Sequence, residues 1–404
     1  MSISLLYHAL NIVGYRYRRT DYVGQEIIFT IEQDPSTFRC SCCGSDKVIK
    51  RGAIWRSFAA PGFALKRIVI RLEVQRVECH ACNTVRQVKV GFADENRRFI
   101  RQFERCVLDL SGHMTIQDVA AHFGVSWDVV KDIQKRYLKR KFSRPPLKSL
   151  RRIAIDELYV GKKRKFLTIV LDLETGAVVF VGEGKSAAAL DPFWKRLKNR
   201  RKRIEAVAID MSKAYIQGVT TNLPKAVLVF DHFHVIKLFN EKLTDLRREL
   251  YREITDLMQK EVLKGIRWLL LKNPENLNDK RNERERLEEA LHLNRPLACA
   301  YYLKEDLRQI WNQPDKATAE VVLHDWLRRA DASGIRIVKK FAQTLDTYRA
   351  GILAYYDYRI STGPLEATNN KIKTLQRQAY GFRDHVFFTL KIYALHLSTY
   401  ALVG

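Results

Sequence analysis

Two aspartates end runs that read as buried strands: Asp156 closes Ile153-Ala154-Ile155, and Asp210 closes 204–209, IEAVAI. If those strands lie side by side, the two carboxylates come close together. Carboxylates held that near cannot both stay charged without a cation. Magnesium or manganese, which prefer oxygen ligands, suit such a pair. A third acid, Glu366, lies far along the chain in 361–373, STGPLEATNNKIK. Thr362-Gly363-Pro364 reads as a helix start, because proline is tolerated in the first turn. Glu366, Asn369, Asn370 and Lys373 then share one helical face. An acid, two amides and a base on one face suit a metal and phosphate site better than a core. Ions bridged by Asp156, Asp210 and Glu366 would activate a water or a 3′-hydroxyl and stabilise the leaving oxygen of an in-line displacement.

Each acid also has a plainer reading. Strand-end aspartates often cap the next helix, and a glutamate in a first turn favours the helix dipole. Asp231, which ends 226–230, is the main rival for the second position, with Glu157 and Asp172 behind it. Asp210 is preferred because the strand count puts it on the fourth strand and Asp231 on the fifth. His232 and His234 are read as orienting side chains or phosphate, not as metal ligands.

A second metal chemistry lies nearer the start. Cys40, Cys43, Cys79 and Cys82 form two C-x-x-C pairs, and five of the seven cysteines fall in the first quarter of the chain. Two such turns brought together by a hairpin would complete a tetrahedral zinc site that folds a small domain. Cys42 reads as a bystander and His80 as a poorer ligand. With no secretory signal in the sequence, clustered cysteine points to metal and not to disulfides.

The elements that must position these groups follow from the patterning. Residues 67–78, RIVIRLEVQRVE, alternate as a strand does. In 115–137, TIQDVAAHFGVSWDVVKDIQKRY, Gly124 supplies a turn and Ser126 caps a second helix, with Val119, Val125, Val130 and Ile133 facing inward. That spacing is a helix-turn-helix, whose second helix would turn Trp127, Lys131 and Lys135 to solvent or DNA. The basic stretch 139–152 follows. Lys139, Arg140, Lys141 and Arg144 are its phosphate-binding candidates, and Pro145-Pro146 stops any helix from running through. Beyond it, strands and helices alternate as three strands, helix, strand, helix, strand, helix. This is the order of an RNase H-like fold, in which the first and fourth strands are neighbours. The expected division is a zinc-binding β domain over 1–92, a helix-turn-helix domain over 93–140 and a linker over 141–152. An α/β catalytic domain over 153–234 resumes over 357–404, after an all-helical insertion at 235–356.

The net charge is +26, from 71 Lys+Arg against 45 Asp+Glu. A surplus that large calls for a polyanion; nucleic acid is the leading candidate and an anionic membrane surface the weaker rival. The sequence has no apolar run of membrane-spanning length. The run 195–203, KRLKNRRKR, serves equally as a solvated helix end or a phosphate contact. Residues 376–385, QRQAYGFRDH, serve equally as a DNA-channel lining or an aromatic core.

Taken together, the C-x-x-C pairs, the helix-turn-helix, IAIDE at 153–157, AIDMS at 208–212, DHFHVIK at 231–237 and GPLEATNNKIK at 363–373 resemble the DDE transposases of bacterial insertion sequences. The closest resemblance is to the ISL3 type, over nearly the whole chain. It implies Asp156, Asp210 and Glu366 as a catalytic triad, and a helical insertion before the glutamate. It also implies strand cleavage and transfer on double-stranded DNA, at the terminal repeats and target DNA, a homodimer, and a cytoplasmic, nucleoid-associated location. Ala367 departs from the glycine expected in many relatives. The alternatives are a non-catalytic regulator derived from a transposase, and an RNase H-like nuclease or resolvase.

Overall fold

The computed structural model describes residues 5–161 and 165–396. Of the helical block expected over 362–404, residues 397–404 lie outside the described residues, as do residues 1–4 of the first domain. The described chain forms two compact units. One runs up to Ser143 and includes Leu375–Ala394; the other is Arg144–Thr374 with 395–396.

The first unit opens with a helical turn, α1 (Leu5–His8), and a sheet of β1 (Tyr15–Val23), β2 (Glu26–Gln33), β3 (Val48–Phe63), β4 (Lys66–Cys79) and β5 (Val85–Gln87). Its order is β1-β2-β4-β3, with β5 pairing the end of β4. β4 shows the alternation expected of it. Ile68, Ile70, Leu72 and Val74 all lie on one buried face, because successive side chains of a strand point to opposite sides. Helices α2 (Arg101–Leu110), α3 (Ile116–Phe123) and α4 (Trp127–Phe142) follow. Thr115 caps α3 by accepting from the Asp118 N–H, and Ser126 caps α4 by accepting from the Val129 N–H. Between them Gly124 turns the chain at φ +61°, where a side chain would be strained and would also collide with the Arg67 guanidinium. Phe103, Val107, Val119, Ala120, Val130 and Ile133 are buried within this helical layer.

The second unit holds a five-stranded sheet of β6 (Arg152–Gly161), β7 (Lys165–Asp172), β8 (Val178–Glu183), β9 (Ala206–Ile209) and β10 (Val227–Phe230). β6, β7 and β8 form an antiparallel meander; β9 then pairs parallel with β6, and β10 parallel with β9. In chain order the sheet reads 3-2-1-4-5. All four residues of β9 are buried without alternation, as in strands covered on both faces. Helices α5 (Asp191–Leu197) and α6 (Lys213–Asn222) connect the strands. The chain then becomes helical: α7 (His232–Glu253), α8 (Leu257–Gly265), α9 (Glu283–Leu293), α10 (Arg295–Leu307), α11 (Lys316–Ala332), α12 (Arg336–Thr347) and α13 (Arg349–Leu353). Phe239, Trp326 and Phe341 anchor this block, with ring centroids 4.8–5.9 Å apart. Gly351 of α13 lies so close to the Phe230 ring that a β-carbon there would overlap it. Helix α14 (Gly363–Gln378) carries the glutamate motif, and α15 (His385–Ala394) packs on α4 within the first unit. No helix among the described residues is long and apolar enough to cross a membrane.

Candidate active site and metal centre

The parallel register between β6 and β9 pairs Arg152 with Ala206, Ile153 with Val207 and Ala154 with Ala208. Two residues further along each chain come Asp156 and Asp210. The even step keeps both on the same face, so the register sets the two carboxylates level. Burial pushes the Asp156 carboxyl up to about 6; the Glu157 N–H and His234 oppose that shift, and the charges of Asp210 and Glu157 add to it. Asp210 is raised as well, again by burial first, against its hydrogen bond from the Ser212 N–H and the charges of His234 and Lys237. Two half-buried carboxylates, the charge of Asp210 acting on Asp156, are costly to ionise together and gain most from a shared cation.

Asp156 is also held from a distant part of the chain. Its Oδ1 accepts from the Glu157 N–H at 2.7 Å, and its Oδ2 accepts from Asn369 Nδ2 at 3.0 Å. Asn369 is 5% exposed and lies on α14. Glu366 stands one turn earlier on the same helix and is exposed; Asn370 is exposed and Lys373 half-buried. The structure therefore brings Asp156, Asp210 and Asn369 of α14 together. It does not gather three carboxylates tightly: among the described residues, only the four cysteines place three or more candidate ligand atoms within 4.8 Å of one another.

The rival acids have other tasks. Asp231 caps α7 by accepting from the Phe233 N–H, receives the Thr362 N–H at 3.1 Å and the Thr362 hydroxyl, and lies 3.2 Å from His232 Nδ1. Burial alone would raise its pKa, but these donors outweigh it and hold the carboxyl at about 2. Its oxygens are occupied, and it ties the start of α7 to the residues that open α14. Asp172 is the acceptor of the β7–β8 turn, taking bonds from the Glu174 N–H and the Thr175 hydroxyl.

Three neighbours of the acids escaped the sequence reading. Lys237 shares the first turns of α7 with His234. Tyr215, fully buried on α6, sits 3.2 Å from the Thr168 hydroxyl, which in turn donates to the Gly184 carbonyl. Burial, reinforced by Glu157, Asp210 and Asp156, pushes the Tyr215 phenol above its usual range. Lys237 closes the DHFHVIK stretch and stands at i, i+3 from His234, which was the signal for it; Tyr215 and Thr168 read as ordinary helix and strand residues.

In the first unit the two cysteine pairs meet. Cys40 Sγ lies 3.6 Å from Cys82 Sγ, and Cys43 Sγ 3.5 Å from Cys79 Sγ. A zinc–sulfur bond of about 2.3 Å implies sulfurs about 3.8 Å apart in a tetrahedron, so the cluster fits that ion. The backbone N–H groups of Cys43 and Cys42 draw the Cys40 thiol down to about 6, toward the thiolate that a metal needs. Cys42 and His80 are exposed and stand outside the cluster.

Of the basic candidates, Lys139, Arg140, Lys141 and Arg144 are exposed, as is Trp127 at 42%. Lys131 and Lys135 instead converge on Asp384, at 3.2 and 2.7 Å, and Lys131 also lies over the Trp127 ring. The lysines and the Phe387 N–H outweigh burial and hold Asp384 at about 2. Asp384 thereby caps α15 and fixes it against α4.

Comparison with known families agrees with this order of parts. Residues 36–82 match the zinc-finger of transposases IS204/IS1001/IS1096/IS1165. Residues 88–138 match the helix-turn-helix domain of transposase family ISL3. Residues 153–392 match the DDE transposase domain of that family. The transposase for insertion sequence element IS1001 of Bordetella parapertussis is 30% identical, over 94% of this chain and 95% of its own. The transposase for IS1557 of Mycobacterium tuberculosis is 27% identical, over 86% of this chain and 83% of its own. With the zinc finger, the helix-turn-helix and the acid-bearing sheet in that order, the chain belongs to the ISL3 family of DDE transposases.

Proposed function

We propose that this DNA transposase binds the ends of its mobile element through residues 93–152 and cleaves and joins DNA strands at Asp156, Asp210 and Glu366. The observation that carries this reading is the parallel register of β6 with β9, which leads to Asp156 on β6 and to Asp210 one residue past the end of β9, with both carboxyls raised. The 3-2-1-4-5 strand order supports an RNase H-like catalytic domain over 153–234, which resumes from 357 with the helix carrying Glu366, and the helical run 235–356 is its insertion.

Asp156, Asp210 and Glu366 are hard oxygen donors of the kind that hold magnesium or manganese. When bound, the cation supplies Lewis acidity at phosphorus and acidifies the attacking hydroxyl. The chain's own groups do the rest. His234 and Lys237 offset the negative charge beside Asp210. Asn370 and Lys373, on the glutamate's helix, meet the phosphate backbone. Water is the first nucleophile and the element's 3′-hydroxyl the second, and one site serves both in-line steps. Trp127 and the linker residues Lys139, Arg140, Lys141 and Arg144 hold the duplex, mostly through phosphates, while Lys131 and Lys135 are engaged by Asp384. The zinc held by Cys40, Cys43, Cys79 and Cys82 is structural. The protein works as a homodimer on two ends at once, in the cytoplasm and associated with the nucleoid.

The test is cleavage and strand transfer on DNA carrying the element's ends, with Mg2+ or Mn2+, for wild type and for Asp156→Ala, Asp210→Ala and Glu366→Ala. Each substitution should reduce joining by about a thousandfold, roughly the loss of 4 kcal/mol of transition-state stabilisation, with end binding intact. If all four proteins bind DNA alike and none cleaves, a DNA-binding regulator is the better description. If wild type cuts but never joins, a nuclease is.

A further inference from the structure

Asn369 is more than a helix-face neighbour of Glu366. Its Nδ2 donates to Asp156 Oδ2 at 3.0 Å, but its Oδ1 is buried and has no hydrogen-bond partner among the described residues. The side chain is 5% exposed, so bulk water does not readily serve that oxygen. Buried polar atoms are nearly always paired, and an orphan marks a missing partner. The missing partner must be a donor. Asp156, Asp210 and Glu157 cannot supply one when ionised, because carboxylates only accept. His234 acts on both aspartates and Lys237 on Asp210, and neither donates to this oxygen. A divalent cation that keeps part of its hydration shell brings donors into a site otherwise rich in acceptors.

We infer that Asn369 is a positioning residue for cation binding. Its Nδ2 fixes the plane of the Asp156 carboxylate, and its Oδ1 accepts a hydrogen bond from a water in the hydration shell of the bound cation. The same amide sets the rotation of α14 about its axis and therefore where Glu366 stands, one turn away. This inference rests on the proposed acid site. It gives Asn369 a part distinct from those of Asn370, which is exposed, and Lys373, which is half-buried.

The test is Mn2+ binding to the full-length, zinc-loaded protein without DNA, followed by the electron paramagnetic resonance signal of free Mn2+. Wild type is compared with Asn369→Leu, Asn369→Ala, Asn369→Gln and Asp156→Ala. Outer partners of metal ligands typically contribute about 10–100-fold to affinity. Asn369→Leu and Asn369→Ala should weaken Mn2+ binding by that range, while zinc content and end binding stay at wild-type levels. Asn369→Gln should recover part of the loss. Asn369→Ala makes no steric demand and covers the case in which leucine disrupts the fold. The inference is overturned if both apolar variants bind Mn2+ within about twofold of wild type while Asp156→Ala does not bind it. If wild type and Asp156→Ala bind Mn2+ equally, the acid site itself is wrong, and this assignment goes with it.

Discussion

Replacing Asp156 by asparagine should stabilise the metal-free protein at neutral pH. Burial moves this carboxyl from an ordinary value of 3.8 to about 6. A shift of roughly two units is about 3 kcal/mol, at about 1.4 kcal/mol per unit. The folded-state pKa lies above the unfolded one, so the protonated form favours folding. Stability from this group is fully present below about pH 4 and is lost as the pH rises through about 6. Asparagine carries no charge to desolvate, and it can keep both bonds. Its Oδ1 accepts from the Glu157 N–H, and its Nδ2 donates to Asn369 Oδ1 once that amide turns over. The assay is urea unfolding in zinc-retaining buffer free of Mg2+ and Mn2+, at pH 4.5 and 7.5. Tryptophan fluorescence suits it, because four of the six tryptophans (Trp194, Trp268, Trp311 and Trp326) lie in the second unit. Asp156→Asn should gain up to about 3 kcal/mol at pH 7.5, and much less at pH 4.5. Mn2+ should then reverse the order, because only wild type gains binding free energy on folding. Equal or lower stability of the variant at pH 7.5, or the same gain at both pH values, would refute the argument from buried charge.

Other outcomes follow from the same structure. Elemental analysis should find one zinc per chain; Cys79→Ser should lose it together with the fold of residues 36–82 and end binding, whereas Cys42→Ser should change neither. Asp384→Asn keeps a good cap on α15 but frees Lys131 and Lys135. The slope of log affinity against log salt should steepen by up to about 2, measured by anisotropy of a labelled duplex, and an unchanged slope would mean that neither lysine reaches phosphate. Asp231→Ala should destabilise the second unit by about 2–4 kcal/mol, through a lost cap and the orphaned Thr362 donors, with Mn2+ affinity little changed.

Much of this molecule can be read from the sequence where local rules decide. The α3–α4 turn is an example: Thr115, Gly124 and Ser126 are determined by cap and turn chemistry within a few residues, and each sits where the sequence puts it. The cysteine pairs were legible for the same reason, since thiols at C-x-x-C spacing have few other uses. Apolar runs and turn residues gave the strand count, and the parallel pairing of β6 with β9 followed from it. Partnerships across long stretches of chain were not legible. Lys131 and Lys135 read as outward-facing because Asp384 is about 250 residues away, and no local pattern announces an ion pair at that distance. Asp231 ends a strand as a catalytic acid would, and only its bonds from Thr362, 131 residues away, mark it as structural. Asn369 and Asn370 are adjacent amides, and only the docking of α14 determines which one is buried.

The bond between Asn369 and Asp156 spans 213 residues, and this separation sets an order of events during synthesis. At about 5–20 residues per second, roughly 10–40 s pass after the strand carrying Asp156 leaves the ribosome before α14 follows. Throughout that interval the nascent chain lacks both the helix that completes the acid site and α15, which packs on α4 within the first unit. A chain released short of residue 363 would remain in that state. It would lack Glu366 and would leave α4 without the cover of α15, so premature termination yields chains deficient in both units.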